Sequence, residues 1–469
     1  MDSLEQEAFE VLSLVRSLKN SFAPINRIPP EVFTLIPDHY DANHAERDLI
    51  RSTHVCRSWR ETLISRSSLW THLDFTNVDK TRTFIRRSES SPLDIDLINW
   101  ENETEIDDAL SLIIPHVARL RSLVIRTDAI PEPTLDPGQF GDDLSSLREL
   151  TLRGVITHLP WKNMANLRIF ELCCPIEHEV TATQFLDFFE SAPLLHTIDI
   201  NDSIPESSDA PPERIVSLCH LKSLVFIADL DPMHSILRHL NIPVGASLMV
   251  WTRISGEESP LPDYFPETSP NIKNLSHVTA VNLCFHNEYK CAQLAGPSGS
   301  FRFHVPWGDQ TTPSFIVDHR ILRSIIPRIL STTHRLTISG YLHPGPANVD
   351  ECPIFQALSS TNGLRTLMLV ECKTQPFILA LNPEKNGSKF VLCPNLEEII
   401  LYASSWSFIK TLISMAKGRA SRGVKLSSIT LIGLGSSAPG PEMSKLRDHV
   451  MNMEYRAEVE TPEWDYLPD

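Results

Sequence analysis

A pair of adjacent cysteines, with a histidine a few residues further on, is the first place where this sequence could support catalysis. Cys173 and Cys174 could supply a nucleophilic thiol, and His178 could supply the base that deprotonates it. The two cysteines directly follow a strand-like apolar pattern, however, and small buried thiols are common in such positions. We therefore expect these cysteines to be structural, and an enzyme with a thiol site is the least favoured of the functions that the sequence allows.

A second group of residues offers three metal-ligating side chains within eight residues, namely Cys284, His286 and Cys291. A closed zinc site needs a fourth ligand, and none follows at the spacing of a zinc finger. The sequence also lacks the motifs of phosphate-binding loops, zinc proteases and the nucleophile elbow. We therefore expect no catalytic residue, no metal and no cofactor.

The overall charge argues against nucleic acid as a partner. Lys and Arg number 42 against 59 Asp and Glu, a formal net charge of -17 that would repel a phosphate backbone. The side chains of the basic pair Arg86 and Arg87 are expected to lie on a solvated face of the protein. No run approaches the roughly 20 apolar residues that cross a bilayer, and the first residues lack the basic start and apolar block of a secretory signal. With nine scattered cysteines, this predicts an intracellular protein, cytoplasmic or nuclear, that contacts no membrane.

The elements that must position any functional residue begin with an amphipathic helix over residues 1–24. Its apolar residues are spaced 4, 3, 4, 3 and 4 apart, which is the heptad periodicity of a coiled coil. They are Leu4, Ala8, Val11, Val15, Leu18 and Phe22. Three heptads are marginal for a free-standing coiled coil. We therefore expect the helix to pack on the module that follows, with dimerisation as the alternative.

A small helical module is predicted for residues 25–70. Pro29 and Pro30 suit the first turn of a helix, Glu31 complements the positive end of the helix dipole, and Pro37 ends the helix. A polar connection continues to residue 47, and a further helix is expected from about Thr53. The apolar face of that helix consists of Val55, Cys56, Trp59 and Leu63.

Three motifs in this module carry a family resemblance: Ile-Pro-Pro-Glu-Val at 28–32, Val-Cys-Arg-Ser-Trp-Arg at 55–60 and Leu-Trp at 69–70. As a set they resemble an F-box, and residues 25–94 are similar to the F-box-like proteins that are abundant in fungi. The sequence departs from the usual pattern by Ile in place of Leu at position 28 and by the polar insert at 38–47.

The resemblance implies that the module docks onto the Skp-type adaptor of a cullin-RING ubiquitin ligase. Trp59 is the expected anchor, because a buried Trp contributes disproportionately at interfaces. The adaptor-binding residues that the resemblance implies are Ile28, Pro29, Pro30, Glu31, Val32, Ile36, Val55, Cys56, Trp59 and Leu63.

Short apolar patterns recur along the rest of the chain. A Leu-x-x-Leu-x-Leu frame, in which Ile, Val or Phe can replace Leu, starts at residues 120, 147, 167, 195, 221, 278, 364, 396 and 426. Weaker copies lie at Trp70/Leu73/Phe75, Ile95/Leu97, Leu248/Val250, Phe303/Val305 and Leu336/Ile338.

This period predicts an α/β repeat solenoid over residues 71–450, resembling a degenerate leucine-rich repeat, with parallel strands and helical or irregular return segments. One strand is expected in each unit of roughly 20 to 33 residues. Return helices are predicted at Ala182–Ser191, Asp318–Leu330, Gln375–Leu381 and Trp406–Lys417. The acidic residues 451–469 are predicted to form an irregular tail.

Together these features predict a non-enzymatic substrate receptor of a ubiquitin ligase. In this interpretation the helical module binds the adaptor, and the repeat region presents a protein substrate whose identity the sequence does not specify. The chain is expected to be a monomer within the complex. The main alternative is a repeat scaffold that binds proteins without coupling them to ubiquitination.

Overall fold

The computed structural model of this chain forms two compact units, Met1–Leu167 and Arg168–Asp469. It describes residues 2–39, 45–100, 103–128, 133–141, 144–157, 161, 163–173, 181–201, 213–253, 278–285, 289–296, 300–306, 332–340, 353–384, 391–434 and 440–458. The predictions that concern Cys174, His178, His286 and the return helix at Asp318–Leu330 lie outside the described residues.

Unit 1 opens with helices that are joined by short turns. The helices are α1 at Asp2–Ser21, α2 at Pro30–Phe33, α3 at Ala45–Ser52 and α4 at Arg57–Ile64. The turns are 3-10 helices at Pro24–Arg27, Ile36–His39 and Ser67–Trp70. The all-helical opening that the sequence predicted is therefore present.

The helix predicted from Thr53 begins later, at Arg57. Thr53 lies instead directly after α3, and its Oγ1 donates to the carbonyl of Ile50 at 2.7 Å. Cys56 then adopts an extended conformation, with φ -157° and ψ 172°, which separates the two helices. The predicted polar connection is also shorter than expected, because α3 already starts at Ala45 and buries Leu49.

A parallel sheet follows in unit 1. Its strands are β1 at His72–Leu73, β2 at Leu93–Trp100, β3 at Leu120–Thr127 and β5 at Glu149–Arg153, adjacent in that order. Helices α5 at Val78–Arg87 and α6 at Glu103–Ile113 form the crossovers that neighbouring parallel strands require. Two further strands, β4 at Thr134–Leu135 and β6 at Ile156–Thr157, pair with each other.

Unit 2 begins with four parallel strands in chain order: β7 at Ile169–Cys173, β8 at Thr197–Asn201, β10 at Ser223–Asp229 and β12 at Ser247–Arg253. Helices α7 at Ala182–Ser191 and α8 at Leu230–Leu237 lie in two of the connections. The short strands β9 at Val216–Ser217 and β11 at Leu240–Asn241 form a separate parallel pair.

The middle of unit 2 departs from the predicted pattern of one parallel strand in each repeat. Three strands here are antiparallel neighbours: β13 at Ala280–Phe285, β14 at Tyr289–Ala295 and β15 at Ser300–Pro306. The strand β15 also pairs in parallel with β12. Connections of only a few residues allow antiparallel pairing, whereas parallel neighbours need a dozen or more. The weak frame at Phe303/Val305 is also offset, since Leu248 and Val250 align with Phe301 and Phe303.

The last part of unit 2 returns to parallel pairing. The strand β16 at Arg335–Gly340 pairs with β13. The strands that follow β16 in parallel order are β17 at Thr366–Val370, β18 at Glu398–Ala403, β19 at Ser428–Leu434 and β20 at Asn452–Glu458. The helices here are α9 at Pro353–Ser360, α10 at Thr374–Ala380, α11 at Ile409–Ser421 and α12 at Glu442–Arg447. The strand β20 shows that the prediction of an irregular tail from residue 451 is wrong for residues 452–458.

The nine strong frames coincide with the core of the sheet. Every frame residue is at most 3% exposed, and frames on neighbouring parallel strands align, as Leu367 does with Ile399 and Ile429. Three of the predicted return helices are present, although α10 and α11 differ from the predicted ranges by a few residues. The described residues therefore form mostly parallel sheets with helices, and the solenoid itself stays a prediction.

The opposite face of the sheet is also buried around β17, β18 and β19. Met368, Val370, Tyr402 and Ile432 form a second apolar cluster there, with Ile400 packed against it. A strand that is covered on both faces carries a nearly continuous apolar run in place of an alternating one. This explains the sequences Thr-Leu-Met-Leu-Val and Glu-Ile-Ile-Leu-Tyr-Ala of β17 and β18.

Candidate protein-docking site

The start of α2 is determined by two prolines. Pro29 has the extended backbone of an N-cap residue, and Pro30 occupies the first turn, where its missing N–H costs nothing. Glu31 lies in the same turn and is attracted by the positive end of the helix dipole. At the other end of α2, Thr34 donates to the carbonyl of Glu31 at 2.9 Å and accepts a hydrogen bond from Arg66 at 2.5 Å.

Trp59 links α4 to this region. Its ring centroid lies 4.7 Å from that of Phe33 at an angle of 60°, and its Nε1 donates to the side-chain oxygen of Asn26 at 2.6 Å. Asn26 in turn donates to the carbonyl of Asn20 at 2.6 Å. Trp59 is only half-buried. Part of the indole therefore holds the module together while the remainder is open to a partner.

The residues predicted to bind an adaptor differ in their exposure. Pro29, Pro30, Glu31, Val32 and Val55 are exposed, and Ile28, Ile36, Cys56 and Trp59 are half-buried. Leu63 is 0% exposed, and its carbonyl accepts a hydrogen bond from the indole of Trp70 at 3.0 Å. In this chain Leu63 is therefore a core residue, and its part in adaptor binding stays a prediction.

Two further apolar side chains of the same helical module are exposed but were not among the predicted binding residues. Ile25 is 37% exposed and Leu35 is 47% exposed, beside Val32 at 52% and Val55 at 58%. Leu35 follows Val32 by three residues, a spacing that helical periodicity could have revealed. Exposed apolar side chains gain free energy when a partner buries them. We call Ile25, Val32, Leu35 and Val55 the exposed apolar group.

Comparison with known families supports the same segment. Residues 25–76 match the F-box-like family model. The F-box-like segment therefore includes the prolines of α2, the Trp59 helix and the first strand, β1. No curated protein matches the chain. An F-box-like segment suggests, in general terms, an adaptor role in a cullin-RING ubiquitin ligase.

The F-box-like segment is tied to α5, which directly follows it. Trp70 is fully buried and packs edge-on against Phe84, with ring centroids 4.9 Å apart. The guanidinium carbon of Arg87 lies 4.3 Å from the centroid of the Trp70 ring. Burial, followed by repulsion from Arg86, lowers the pKa of Arg87. The prediction of a solvated basic pair is therefore wrong for Arg87, although Arg86 is exposed.

A partly buried ionic cluster makes a second connection to α5. The Nζ of Lys80 lies 2.6 Å from a carboxylate oxygen of Glu46 on α3 and 2.7 Å from one of Asp74. Burial opposes the charge on Lys80, but the hydrogen bonds to Asp74 and Glu46 outweigh it and raise the pKa of Lys80. The pKa of Asp74 is lowered in spite of burial by its hydrogen bonds from Lys80 and Thr76. Burial prevails at Glu46 and raises the pKa of that carboxyl group.

The cysteines suggested for metal binding have a different environment. Cys284 and Cys291 are directly opposed on β13 and β14, both buried and both in the thiol form. The hydrogen bond with Cys284, together with burial, raises the pKa of Cys291 far above its usual range. A protonated thiol is a poor nucleophile and a poor metal ligand. Within the described ranges, no three His, Cys, Asp or Glu side chains are grouped so that they could hold a metal ion.

The helices that the structure describes include none that is long and apolar enough to span a membrane.

Proposed function

We propose that this chain is a substrate-recognition subunit of a cullin-RING ubiquitin ligase. In this function the F-box-like segment binds a Skp-type adaptor, and the remainder of the chain holds a protein substrate. The match of residues 25–76 to the F-box-like family carries the proposal. The exposed apolar group on that segment supports it, because burying such side chains is a main source of affinity between proteins.

The chain would act by proximity and would itself perform no chemical step. A ligase must hold a lysine of the substrate close to ubiquitin that is already activated on another subunit. Linking two binding sites in one molecule raises the effective concentration of the reacting groups, without any new contact between them. The transfer reaction would therefore belong to other subunits of the complex.

The C-terminal region is proposed to supply the substrate surface as a degenerate leucine-rich-repeat array. Its support is the coincidence of nine sequence frames with buried strands, most of them paired in parallel. Such arrays offer extended surfaces that suit protein ligands. The similarity of residues 25–94 to fungal F-box-like proteins stays a prediction within this proposal.

The adaptor contact can be tested with paired substitutions of equal chemistry. Val32→Asp/Val55→Asp places two charges in the exposed apolar group without touching the buried core. Val78→Asp/Met451→Asp is the matched control, because both residues are exposed apolar side chains outside residues 25–76. Titration of a purified Skp-type adaptor should show a loss of affinity on the order of 100-fold for the first variant only.

Equal binding by the wild type and both variants would contradict the proposed docking surface, and no binding by the wild type would contradict the adaptor role.

A second measurement separates a ligase receptor from a scaffold. Proteins that co-purify with the chain should become more abundant when the proteasome is inhibited, and this rise should disappear with Val32→Asp/Val55→Asp. Unchanged abundance would favour a scaffold that is not coupled to ubiquitination.

A further inference from the structure

The N-terminal helix α1 leaves its apolar residues in water. Leu4, Val11, Val15 and Leu18 of α1, with Phe22 in the turn directly after it, are between 56% and 77% exposed, although their spacing is that of a heptad repeat. The prediction that α1 packs on the next module is therefore wrong for these side chains. A 20-residue helix with an open apolar stripe gains little stability from its own backbone and is stabilised mainly by a surface that covers the stripe.

A second copy of α1 fits this stripe when the two helices run antiparallel. In that arrangement, the a and d positions of one helix face the d and a positions of the other. The facing pairs are Leu4 with Phe22, Ala8 with Leu18 and Val11 with Val15, and in each pair the residue numbers sum to 26. Each pair occurs twice in the dimer, so all six layers form together in a single register. The pairing is also symmetric, as a two-fold interface between identical chains requires.

The sizes of the facing side chains suit this register. The smallest apolar residue of the stripe, Ala8, faces Leu18, and the two valines face each other at the centre. Leu12 and Leu14 flank the central layer and are 50% and 62% exposed. They widen the apolar face at the point where the two-fold axis would pass. The whole stripe, and not only its ends, would therefore be covered by the second copy.

Charge distinguishes the antiparallel arrangement from the parallel one. The acidic residues of α1, which are Asp2, Glu5, Glu7 and Glu10, lie in its N-terminal half, and Arg16 and Lys19 lie in its C-terminal half. An antiparallel pair brings Glu5 at an e position opposite Lys19 of the second copy, twice in each dimer. A parallel pair would place four acids beside four acids at one end. Opposite charges at these positions select the partner and its direction.

We propose that α1 is a self-association helix through which two copies of this chain pair antiparallel. This inference concerns α1 alone and does not depend on adaptor binding, and it replaces the expectation of a monomer. A dimer formed in this way would carry two F-box-like segments and two C-terminal regions. Multivalent substrates would gain affinity from such an arrangement, because the second contact becomes intramolecular.

The mass of the full chain in solution tests the dimer. Sedimentation equilibrium at about 1 to 100 µM should give twice the 52.9 kDa chain mass at the upper end of the range. Val11→Asp/Val15→Asp should raise the dissociation constant at least about tenfold, because it buries charge in the central layers. Gln6→Asp/Ser13→Asp is the matched control, since both residues lie on the face opposite the stripe, and it should stay within about threefold of the wild type.

The direction of pairing has its own test. Glu5→Lys and Lys19→Glu should each weaken the dimer, and the double variant should restore it, because only the antiparallel pair joins these two positions. In a mixture of heavy and light chains, a carbodiimide should join Glu5 of one copy to Lys19 of the other. Within one helix these residues are about 21 Å apart, too far for a zero-length cross-link.

A monomer at every concentration would overturn the proposal, as would a dimer that Val11→Asp/Val15→Asp leaves unchanged. Failure of the double charge reversal to restore the dimer would overturn the antiparallel direction. The variant Val32→Asp/Val55→Asp, which is designed to block the adaptor contact, should leave the dimer intact. Loss of adaptor binding and loss of dimerisation are therefore separately observable.

Discussion

The indole nitrogen of Trp59 donates a 2.6 Å hydrogen bond to the side-chain oxygen of Asn26, a residue 33 positions earlier in the chain. The same ring packs against Phe33. Trp59 is therefore already held by its own chain on two sides. If it contributes to binding a partner, it does so as a pre-positioned side chain, which reduces the entropy lost on association.

Removing this hydrogen bond should weaken both folding and adaptor binding. Asn26→Ala removes this bond and the one that the Asn26 amide donates to the carbonyl of Asn20, so we expect it to cost about 1 to 2 kcal/mol of unfolding free energy. Adaptor affinity should fall roughly fivefold, because the indole is no longer held in one orientation. Thermal unfolding and calorimetric titration measure the two effects. Asn20→Ala is the control, since Asn20 contributes its backbone carbonyl to the contact with Asn26. Equal losses in both variants would contradict this account.

Arg87 and its neighbour Arg86 should respond differently to the same truncation. Arg87→Ala removes the cation from the face of Trp70 and uncovers that buried ring, which we expect to cost about 1 to 2 kcal/mol. Arg86→Ala changes an exposed side chain and should stay within about 0.5 kcal/mol of the wild type. Urea unfolding followed by tryptophan fluorescence gives both values. A larger effect at Arg86 would contradict the stacking role of Arg87.

Alanine substitutions at two glycines with positive φ angles should distinguish the free-energy cost of backbone strain from that of steric overlap. A Cβ at Gly340 (φ +82°) would lie 2.3 Å from the carbonyl oxygen of Phe285, whereas a Cβ at Gly423 (φ +76°) would meet nothing within 4 Å. Gly423→Ala should therefore cost only the left-handed penalty, about 1 to 2 kcal/mol. Gly340→Ala should cost about 3 kcal/mol or more, because β16 must move away from β13. Chemical denaturation of the two variants makes the comparison, and similar losses would contradict the close approach at Gly340.

The cysteines should differ strongly in reactivity. Burial raises the pKa of Cys393 to about 11 and that of Cys372 to about 12, whereas Cys219 is exposed. At pH 8 only roughly one Cys393 side chain in a thousand is a thiolate, so alkylation should be slow there. Pulsed iodoacetamide labelling with mass spectrometry should find Cys219 modified first. Labelling of Cys393 at the rate of Cys219 in the folded protein would contradict its burial.

The same pKa shift predicts a loss of stability in alkaline solution. A thiol whose folded-state pKa exceeds its unfolded-state value favours the folded state at neutral pH. That contribution is complete below the unfolded value of about 8.5 and is lost as the pH rises toward the folded value of about 11. Cys393→Ala should reduce the fall in unfolding free energy across this interval. An unchanged pH profile in that variant would show that Cys393 does not titrate on unfolding.

Much of the local structure follows from local sequence. Helix α7 has the limits Ala182–Ser191 that the apolar pattern predicts, and it begins with a capping box between Thr181 and Gln184. The second and third residues of all nine strong frames fall on buried strand positions, because alternation of apolar residues identifies the face that a strand buries. The prolines, the Trp59 helix and the Leu-Trp pair likewise identified the F-box-like segment.

The tertiary structure alone decided which elements meet. An apolar pattern shows which face of a strand is buried, but it does not specify the neighbour or the direction, so the antiparallel β13–β14–β15 arrangement was not foreseen. The same limitation affects single side chains: Leu63 belongs to the core and Arg87 covers Trp70, while the apolar stripe of α1 remains in water. Burial depends on contacts between residues far apart in the chain, and periodicity within one element does not contain that information.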